Sequence, residues 1–305
     1  MEKWKKLGLV IKPQKELWWM QTHAMIPTLE RVSEDIVRVY FSGRDENNVS
    51  HIGYCHIHLD NLTEPFDFSP EPVLSPGERG CFDDNGVTPS CIINDENDTN
   101  LYFIGWNPGF NVRMHLFGGL AIKSSKSSNF VRYSRAPILE RCKVNPFLNT
   151  APFVIKEQER WLMYYVSGTE WLHKDLPRYN IQIATSQNGR DWERNGDVAI
   201  DYRDDSEMAL ARPFVLKDGS LYKMWFSFKE DVEKGGAYTI GYAESNDGFN
   251  WSRKDSDVGI RPSESGWDSE MIEYASVVIY KGRKIMFYNG NNYGEEGIGV
   301  AVEKV

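Results

Sequence analysis

Four acidic side chains stand a few residues ahead of apolar, strand-like segments of the sequence. They are Asp83, Asp84, Glu207 and Glu273. Cleavage of a glycosidic bond uses two carboxyl groups: one is protonated to assist the leaving oxygen, and one is ionised to activate water or attack carbon. We therefore take Glu207 or Glu273 as the candidate general acid, and Asp83 or Asp84 as the candidate base or orienting group.

Polar and aromatic residues in similar positions are candidates for binding a sugar. Indole faces suit the apolar face of a sugar ring, and a guanidinium can grip a phosphate or carboxylate. The candidate substrate-binding residues are His23, Arg44, Asn85, Trp106, Trp171, Arg212, Glu270 and Asn291. His23 is equally well placed to pack under Trp18 and Trp19.

Some of these residues also have structural interpretations. Asp83 follows a Phe as Asp268 follows a Trp, and a carboxylate repeated in this way could tie down a turn between structural units. Arg212 could simply neutralise Glu207. Glu273 lies among apolar residues, where an unpaired carboxylate requires either a partner or a raised pKa suited to an acid. Both interpretations stay open for each residue.

Five segments of the chain share one order of strands and turns. An apolar strand, often led by Pro, is followed by an aromatic-rich second strand and then by a third strand. The equivalent anchor positions are Pro27, Pro89, Pro152, Pro213 and Val277, which are separated by 62, 63, 61 and 64 residues. Turns spelled Ser-Gln-Asn-Gly and Ser-Asn-Asp-Gly, each leading to a Trp, follow two of the third strands and are typical of hairpins.

Short strands, frequent turns and the absence of sustained helical periodicity predict an all-β protein. Five units of about four strands predict a five-bladed β-propeller with four-stranded antiparallel blades. The segment from Lys6 to Lys12 is expected to complete the last blade and close the ring, so that residues 1–305 form a single domain.

The residues just before each anchor should meet at one mouth of such a ring. Asp83 and Glu207 lie six positions before their anchors, and His23, Asn85 and Glu273 lie four before theirs. If the extended geometry continues that far, these five side chains point toward the central channel and Asp84 points away.

Composition excludes several classes of function. The 305 residues include 35 Lys and Arg against 44 Asp and Glu, a net charge of −9, with no basic stripe for nucleic acid. No apolar stretch is long enough to span a membrane and no secretory leader is evident, so we expect a cytoplasmic protein. Cysteine spacing and the lack of glycine-rich nucleotide motifs lead us to expect no metal ligands and no cofactor, and the question of a metal in the channel stays open.

The repeated strand and turn motifs resemble those of five-bladed propeller glycosidases of families 43, 32 and 130. The resemblance runs from Lys6 to Val305. It implies the propeller fold and an acidic site residue in the segment from Glu207 to Pro213. The family 43 triad does not transfer residue by residue, because the first and third units offer Gln, His and Asn, and only Asp83 or Asp84 matches in kind.

The sequence favours a glycoside hydrolase acting on a small carbohydrate or sugar conjugate, with inversion more expected than retention. Transfer or phosphorolysis on a phosphorylated or nucleotide-activated sugar is a second hypothesis, in which Arg44, Arg113, Lys229 or His23 binds phosphate; two or more cations beside the carboxylates would favour it. A propeller that binds sugar without turnover is a third. The oligomeric state stays open.

Overall fold

The computed structural model describes residues 3–95, 98–127, 129–157, 160–230 and 236–304. The prediction of an all-β protein is confirmed, since strands β1 to β20 account for nearly all of the regular structure. A 3-10 turn at Asp255–Asp257 and the four-residue segment α1 (Asn291–Gly294) are the helical elements in these ranges. Within α1, Asn292 and Tyr293 have positive φ, so α1 is a tight turn rather than a regular helix.

The strands follow the five repeats of the sequence as five groups. The first group is β2 (Thr22–Arg31), β3 (Ile36–Arg44), β4 (Ser50–His58) and β5 (Asn61–Phe66); the second is β6 (Val87–Asp95), β7 (Asp98–Pro108), β8 (Met114–Ser124) and β9 (Val131–Arg132). The third is β10 (Asn149–Lys156), β11 (Trp161–His173), β12 (Leu176–Ser186) and β13 (Val198–Ile200); the fourth is β14 (Glu207–Asp218), β15 (Leu221–Glu230), β16 (Tyr238–Ser245) and β17 (Ser252–Arg253). The fifth is β18 (Glu273–Tyr280), β19 (Arg283–Asn289), β20 (Ile298–Glu303) and β1 (Trp4–Ile11).

Pairing within each group is antiparallel. The first and fifth groups are separate four-stranded sheets, whereas the middle three share a path of hydrogen-bonded strands. The links along that path are single parallel pairs, Asn149 with Phe117 and Tyr179 with Ala209. In the fifth sheet β1 pairs with β20, from Trp4 opposite Glu303 to Ile11 opposite Ile298.

The first strands of the groups lie next to one another. Strand β2 contacts β6, β6 contacts β10, β10 contacts β14, β14 contacts β18, and β18 contacts β2. Each first strand begins at the end of its sheet where the second strand of the same group ends. We call this end of the sheets the entry edge. The candidate residues come from the segments that lead to it or leave it.

The register of the first strands is broken near the anchors. Positive φ occurs at Ile26, Ala151, Arg212 and Tyr274, each beside a register shift. These irregularities act as β-bulges, which re-aim the neighbouring side chains and are common beside functional sites. The alternation of side chains expected from the anchors back to Glu207 and Glu273 therefore does not persist.

The two repeated turns lie between the third and fourth strands of their groups, and each is hydrogen-bonded to the preceding group. The Tyr102 hydroxyl donates to the carbonyl of Gly189, and the Tyr164 hydroxyl donates to that of Gly248, both at 2.8 Å. Both glycines have positive φ, a backbone conformation that residues with a side chain rarely adopt. Each turn thus receives a buried tyrosine from the preceding group, which explains why the motif repeats.

Candidate active site

Glu273, the first residue of β18, is a fully buried carboxyl. Neither of its oxygens has a hydrogen bond of acceptable geometry from a described residue. Burial raises the pKa of Glu273 well above its ordinary value, while the Lys229 charge and the nearby Tyr274 hydroxyl act weakly the other way. The raised pKa favours the protonated form of Glu273, which is the form that a general acid requires.

Three tyrosines, Tyr179, Tyr238 and Tyr274, lie within electrostatic range of this carboxyl, and Tyr293 packs on Tyr238. We call these four residues the tyrosine cluster. The Tyr238 ring lies 5.9 Å from that of Tyr274 and 6.2 Å from that of Tyr293, centroid to centroid. The hydroxyls of Tyr179 and Tyr238 are hydrogen-bonded to each other. Burial raises the pKa of Tyr179, Tyr238 and Tyr274, so their hydroxyls stay protonated and can donate to a bound ligand.

Lys229, near the end of β15, lies against the tyrosine cluster. Its ammonium is 4.3 Å from the centroid of the Tyr238 ring and donates a 2.8 Å hydrogen bond to the Tyr293 hydroxyl. A cation over an aromatic face is favourable, which fixes the amine close to Glu273. Residues from the third, fourth and fifth groups therefore converge at the entry edge.

His23 and Arg44 lie at the entry edge of the first group. His23 is buried, and its Nδ1 is 2.9 Å from the Thr22 hydroxyl. Burial and the charge of Arg44 lower the pKa of His23 to about 4, so the imidazole is neutral near pH 7. Burial also lowers the pKa of Arg44; the Arg113 charge adds to this effect, whereas Tyr274 opposes it. Arg44 therefore lies within electrostatic range of the tyrosine cluster.

Asp83 is paired with a cation of an outer strand. It is fully buried and forms a 2.7 Å ion pair with Arg132 of β9. Asp268 repeats this arrangement with Lys6 of β1, at 2.6 Å, and also accepts a hydrogen bond from Tyr288. The repetition favours the structural interpretation of Asp83, in which the carboxylate ties the incoming loop to the outermost strand.

Glu207 belongs to a similar but larger ion-pair network. Its carboxylate accepts bonds from Arg253 at 2.7 and 2.9 Å and from Arg203 at 2.6 Å. Burial alone would raise the pKa of Glu207, but the bonds from Arg253 and Arg203 outweigh it and lower the pKa. Glu207 is therefore an ionised carboxylate whose oxygens are already occupied.

Asp84, Asn85 and Trp106 lie at the entry edge of the second group. The Asp84 carboxylate accepts a 2.7 Å bond from the Gly80 amide and another from the Asn107 side chain. Asn85 donates its backbone amide to the Trp106 carbonyl at 3.2 Å. Asp84 is only partly buried, so it keeps access to solvent that Asp83 lacks.

Arg212 extends into the middle of the first strands rather than to Glu207. It donates to the carbonyls of Pro27, Ser90 and Ala275, and to the hydroxyls of Thr28 and Ser276. Burial lowers the pKa of Arg212 to about 10, so it remains charged at neutral pH. These contacts join β14 to β2, β6 and β18, and they favour a structural role.

The three remaining candidates make local contacts. The Asn291 side chain accepts the backbone amides of Glu270 and Met271, at 2.8 and 3.0 Å. Trp171 packs with Tyr179 against the apolar cluster around Leu148. Asn291 thus orders the loop that leads to Glu273, and Trp171 supports one wall of the tyrosine cluster.

The structure brings Glu273, His23 and Arg44 into one neighbourhood, and it gives Asp83 and Glu207 separate ion-pair partners. Sequence reasoning missed the tyrosine cluster. The available signal was a tyrosine at or near the start of the third strand, as in Tyr179 and Tyr238.

A cavity of about 1250 Å³ lies at the opposite ends of the first strands. It is lined by residues at the ends of β6, β10 and β14 and in the adjoining turns, and by none of the candidate residues. Its charged groups are mutually satisfied: Glu157 binds Lys217 at 3.0 Å and Arg160 at 2.9 Å. We therefore place the site at the entry edge.

Neither a metal-binding cluster nor a membrane-spanning helix occurs among the described residues. In that part of the chain, no three His, Cys, Asp or Glu side chains are grouped so that they could hold a metal ion. No helix there has both the length and the apolar character needed to cross a membrane.

Comparison with known proteins identifies relatives by sequence and by fold. No family model matches the chain. Two sequences from Mycobacterium tuberculosis, the uncharacterized protein Rv1502 (strain H37Rv) and the uncharacterized protein MT1551 (strain CDC 1551), are each 37% identical over 301 residues, covering 98% of this chain and 98% of theirs.

Solved structures share the fold at low identity. The BT0996 protein, in a complex with RGII, has a TM-score of 0.79 and 19% identity, covering all of this chain and 92% of that one. A glycoside hydrolase scores 0.78 at 20% identity with the same coverage, and a thermostable family-43 glycoside hydrolase scores 0.68 at 17% identity, covering 92% and 88%. The resemblance to propeller glycosidases is therefore confirmed at the level of the fold.

Proposed function

Because the chain belongs to the family of the Mycobacterium tuberculosis protein Rv1502 and has the fold of glycoside hydrolases, we propose that it is a carbohydrate-active enzyme that hydrolyses a glycosidic bond. The observation that carries this proposal is Glu273, a buried carboxyl at the entry edge that forms no ion pair with a described residue and whose raised pKa favours its protonated form. A carboxylic acid in this state can deliver a proton to a leaving oxygen.

The site depends on a ring of five blades. We take the five strand groups as those blades, and the contacts of each first strand with the next support a closed ring. The pairing of β1 with β20 supports closure within the last blade. In such a ring the entry edges face one mouth, into which a sugar can descend.

Glu273 acts as the general acid in this mechanism. The protonated carboxyl gives its proton to the glycosidic oxygen as the bond to carbon breaks, and Lys229 stabilises the carboxylate that remains. Tyrosine hydroxyls of the cluster donate hydrogen bonds to sugar hydroxyls, while their rings support the apolar face of the sugar. Neutral His23 can serve as a donor or an acceptor.

Asp84 is the second carboxylate of our proposal. It is the second-group acid that keeps access to solvent, and Asn107 and the Gly80 amide hold it in position. It would activate the attacking water in an inverting reaction, for which the two carboxyl groups lie about 6.5–9.5 Å apart. A separation of about 5–5.5 Å would instead make it the nucleophile of a retaining reaction.

The test compares Glu273→Gln with the wild type and with Glu64→Gln, a control in outer strand β5. A panel of aryl glycosides and oligosaccharides is assayed with and without inorganic phosphate, and the products are separated. We expect Glu273→Gln to lose turnover by about 10²-fold or more and Glu64→Gln to be unchanged.

Each outcome of this assay has a definite meaning. Turnover by Glu273→Gln at the wild-type rate would overturn the assignment of the acid. Products that are sugar phosphates, formed only with phosphate present, would replace hydrolysis with phosphorolysis. Binding of sugars by the wild type without any turnover would identify a binding module.

A further inference from the structure

The turn α1 holds two residues with side chains in the left-handed region of the backbone. Asn292 has φ 53° and ψ 41°, and Tyr293 has φ 60° and ψ 33°. Asparagine tolerates this region because its short polar side chain can bond locally, and here it donates to the Glu295 carboxylate at 3.0 Å. A tyrosine ring gains no such bond, so the backbone conformation at Tyr293 costs free energy of folding.

The neighbours of Tyr293 impose this conformation. The Asn291 side chain accepts two backbone amides of the loop that leads to Glu273, at 2.8 and 3.0 Å. On the other side, Gly294 fits so closely that a Cβ there would overlap the Asn289 amide nitrogen. Strained conformations persist where the surrounding structure determines them in this way, and they are concentrated at active sites and ligand clamps.

The packing of Tyr293 does not offset this cost. Its side chain is 40% exposed, whereas that of Tyr238 is 4% exposed. The two rings meet at an interplanar angle of 79°, with their centroids 6.2 Å apart, so Tyr238 covers only part of Tyr293. The 2.8 Å hydrogen bond from Lys229 lies at the surface, where it replaces a bond to water. The described contacts therefore do not account for a tyrosine at this position.

Tyr293 stands beside the candidate acid. Glu273 is paired in register with Asn289, the last residue of β19, and α1 begins two residues later. Tyr274, the residue after Glu273, has its ring 5.9 Å from that of Tyr238. Tyr238 in turn contacts Tyr293. One strand pairing and two ring contacts thus join the exposed ring to the acid.

Lys229 determines how the Tyr293 hydroxyl can act. An ammonium group is a donor only, so the phenolic oxygen of Tyr293 is the acceptor in their hydrogen bond. The hydroxyl proton then points away from Lys229 and can be donated to a ligand oxygen. Tyr293 therefore presents a flat apolar ring and a directed donor on the same side chain.

We propose that Tyr293 is the platform on which the sugar ring stacks beside Glu273, and that it selects the substrate by ring shape. This inference rests on the proposed glycosidase function and names the residue that recognises the sugar. The substrate unit next to the scissile bond presents an apolar ring face to Tyr293 and an oxygen to the phenol. Stacking needs a closed ring, so an open-chain polyol with similar hydroxyl groups is rejected.

Binding is measured by saturation-transfer NMR with the methyl glycosides of glucose, galactose, mannose and xylose, and with sorbitol as the open-chain polyol. We expect at least one glycoside to bind, with transfer strongest to the C–H protons of one ring face, and sorbitol not to bind. If the wild type binds none of the four glycosides, or binds sorbitol as tightly as a glycoside, the inference is overturned.

Variants of Tyr293 separate recognition from structure. Tyr293→Asn removes the ring and suits the left-handed backbone, so it should weaken glycoside binding by about tenfold or more. Its midpoint of thermal unfolding should stay within about 2 °C of the wild-type value, because relief of strain offsets the lost ring contacts. Tyr293→Phe keeps the ring and should lose less affinity. Unchanged binding by Tyr293→Asn would overturn the inference, and a lowered midpoint with unchanged binding would assign Tyr293 a structural role.

Asn292→Gly is the matched control, because it changes the other left-handed residue of the same turn and leaves the ring in place. We expect it to bind glycosides as the wild type does. Equal losses in Asn292→Gly and Tyr293→Asn would show that the shape of the turn matters rather than the ring, and would overturn the inference. Tyr293→Leu, which keeps an apolar side chain without a flat ring, replaces Tyr293→Asn if that variant does not fold.

Failure of this inference is distinguishable from failure of the proposed function. If Glu273→Gln loses turnover while Tyr293→Asn keeps the wild-type KM and glycoside binding, the hydrolase stands and the platform does not. If Tyr293→Asn loses binding of a glycoside that the wild type never cleaves, the platform stands and the hydrolase does not.

Discussion

Glu207 and Glu273 are both fully buried carboxylates at the first position of a first strand, but their surroundings differ. Glu207 is held by two arginines and has a lowered pKa. Glu273 forms no ion pair with a residue that the structure describes, and its pKa is raised. Neither side chain is accessible to solvent, but Glu273 lies deeper in the protein, and the bonds from the arginines account for the lowered pKa of Glu207.

The pKa values of Glu207 and Glu273 differ because the cation of the outermost strand neutralises a different acid in each group. In the fourth group, Arg253 of β17 pairs with Glu207. In the fifth group, Lys6 of β1 pairs with Asp268, five residues ahead of Glu273. With the outer-strand cation already engaged, Glu273 is left without one and is available for chemistry.

The largest effect that we expect is on stability. Glu207→Gln should lower the free energy of unfolding by about 3–5 kcal/mol, because it leaves two guanidiniums around a neutral amide. Glu273→Gln should be neutral or stabilising, since an amide resembles the protonated acid. Urea denaturation at pH 7 measures both, and equal losses in the two variants would contradict the comparison.

The two arginines of the Glu207 network should not contribute equally. Arg253 is 14% exposed and bonds both carboxylate oxygens, whereas Arg203 is 39% exposed. We expect Arg253→Gln to lower the free energy of unfolding by about 3 kcal/mol and Arg203→Gln to lower it by about 1 kcal/mol, because solvent screens the more exposed ion pair. The same denaturation experiment checks this order. A larger loss of stability in Arg203→Gln than in Arg253→Gln would contradict it.

The pH dependence of stability should have opposite signs at the two sites. The folded pKa of Glu273 lies above its ordinary value of 4.5. The contribution of Glu273 to the free energy of unfolding therefore falls as pH rises from 4.5 toward the folded pKa, by up to about 1.4 kcal/mol per pH unit. The folded pKa of Glu207 lies below 4.5, so its contribution is present above 4.5 and is lost as pH falls through the folded pKa.

Denaturation curves of both variants across pH 3–9 separate these contributions. Glu273→Gln should flatten the decline above pH 4.5, and Glu207→Gln should flatten the loss on the acidic side. A decline above pH 4.5 that persists in Glu273→Gln would show that another group causes it.

The smallest expected effect is at Lys229. Its positive charge lowers the pKa of Glu273, so Lys229→Gln should raise that pKa further. The alkaline limb of the pH profile of kcat/KM should then move to higher pH. A shift toward lower pH would show that Lys229 does not act through Glu273.

Much of the fold was predictable from the sequence because each element has a local cause. The anchor spacing, the aromatic second strands and the Asn-Gly and Asp-Gly turns are short-range patterns, and the structure places each in its strand group. The N-terminal strand was expected over Lys6 to Lys12 and is observed over Trp4–Ile11.

The site was less predictable because it depends on contacts between distant residues. Glu273 was identified from its apolar surroundings, but the ion pairing of Glu207 depends largely on Arg253, which lies 46 residues away. The bulges beside Ile26, Ala151, Arg212 and Tyr274 invalidate an argument from alternation. The positions of Tyr179 and Tyr238 beside Glu273 likewise depend on how different strand groups pack together, which the local sequence does not reveal.

The pairing of β1 with β20 brings the two ends of the chain side by side, with the Lys304 amide donating to the Lys3 carbonyl at 2.8 Å. A circular permutant that joins these ends with a short linker is therefore expected to fold. New termini can be opened at the hairpin tip between Asp218 and Leu221, far along the chain from Glu273. Such a permutant would keep the acid and its tyrosines while changing the order in which the strands are synthesised.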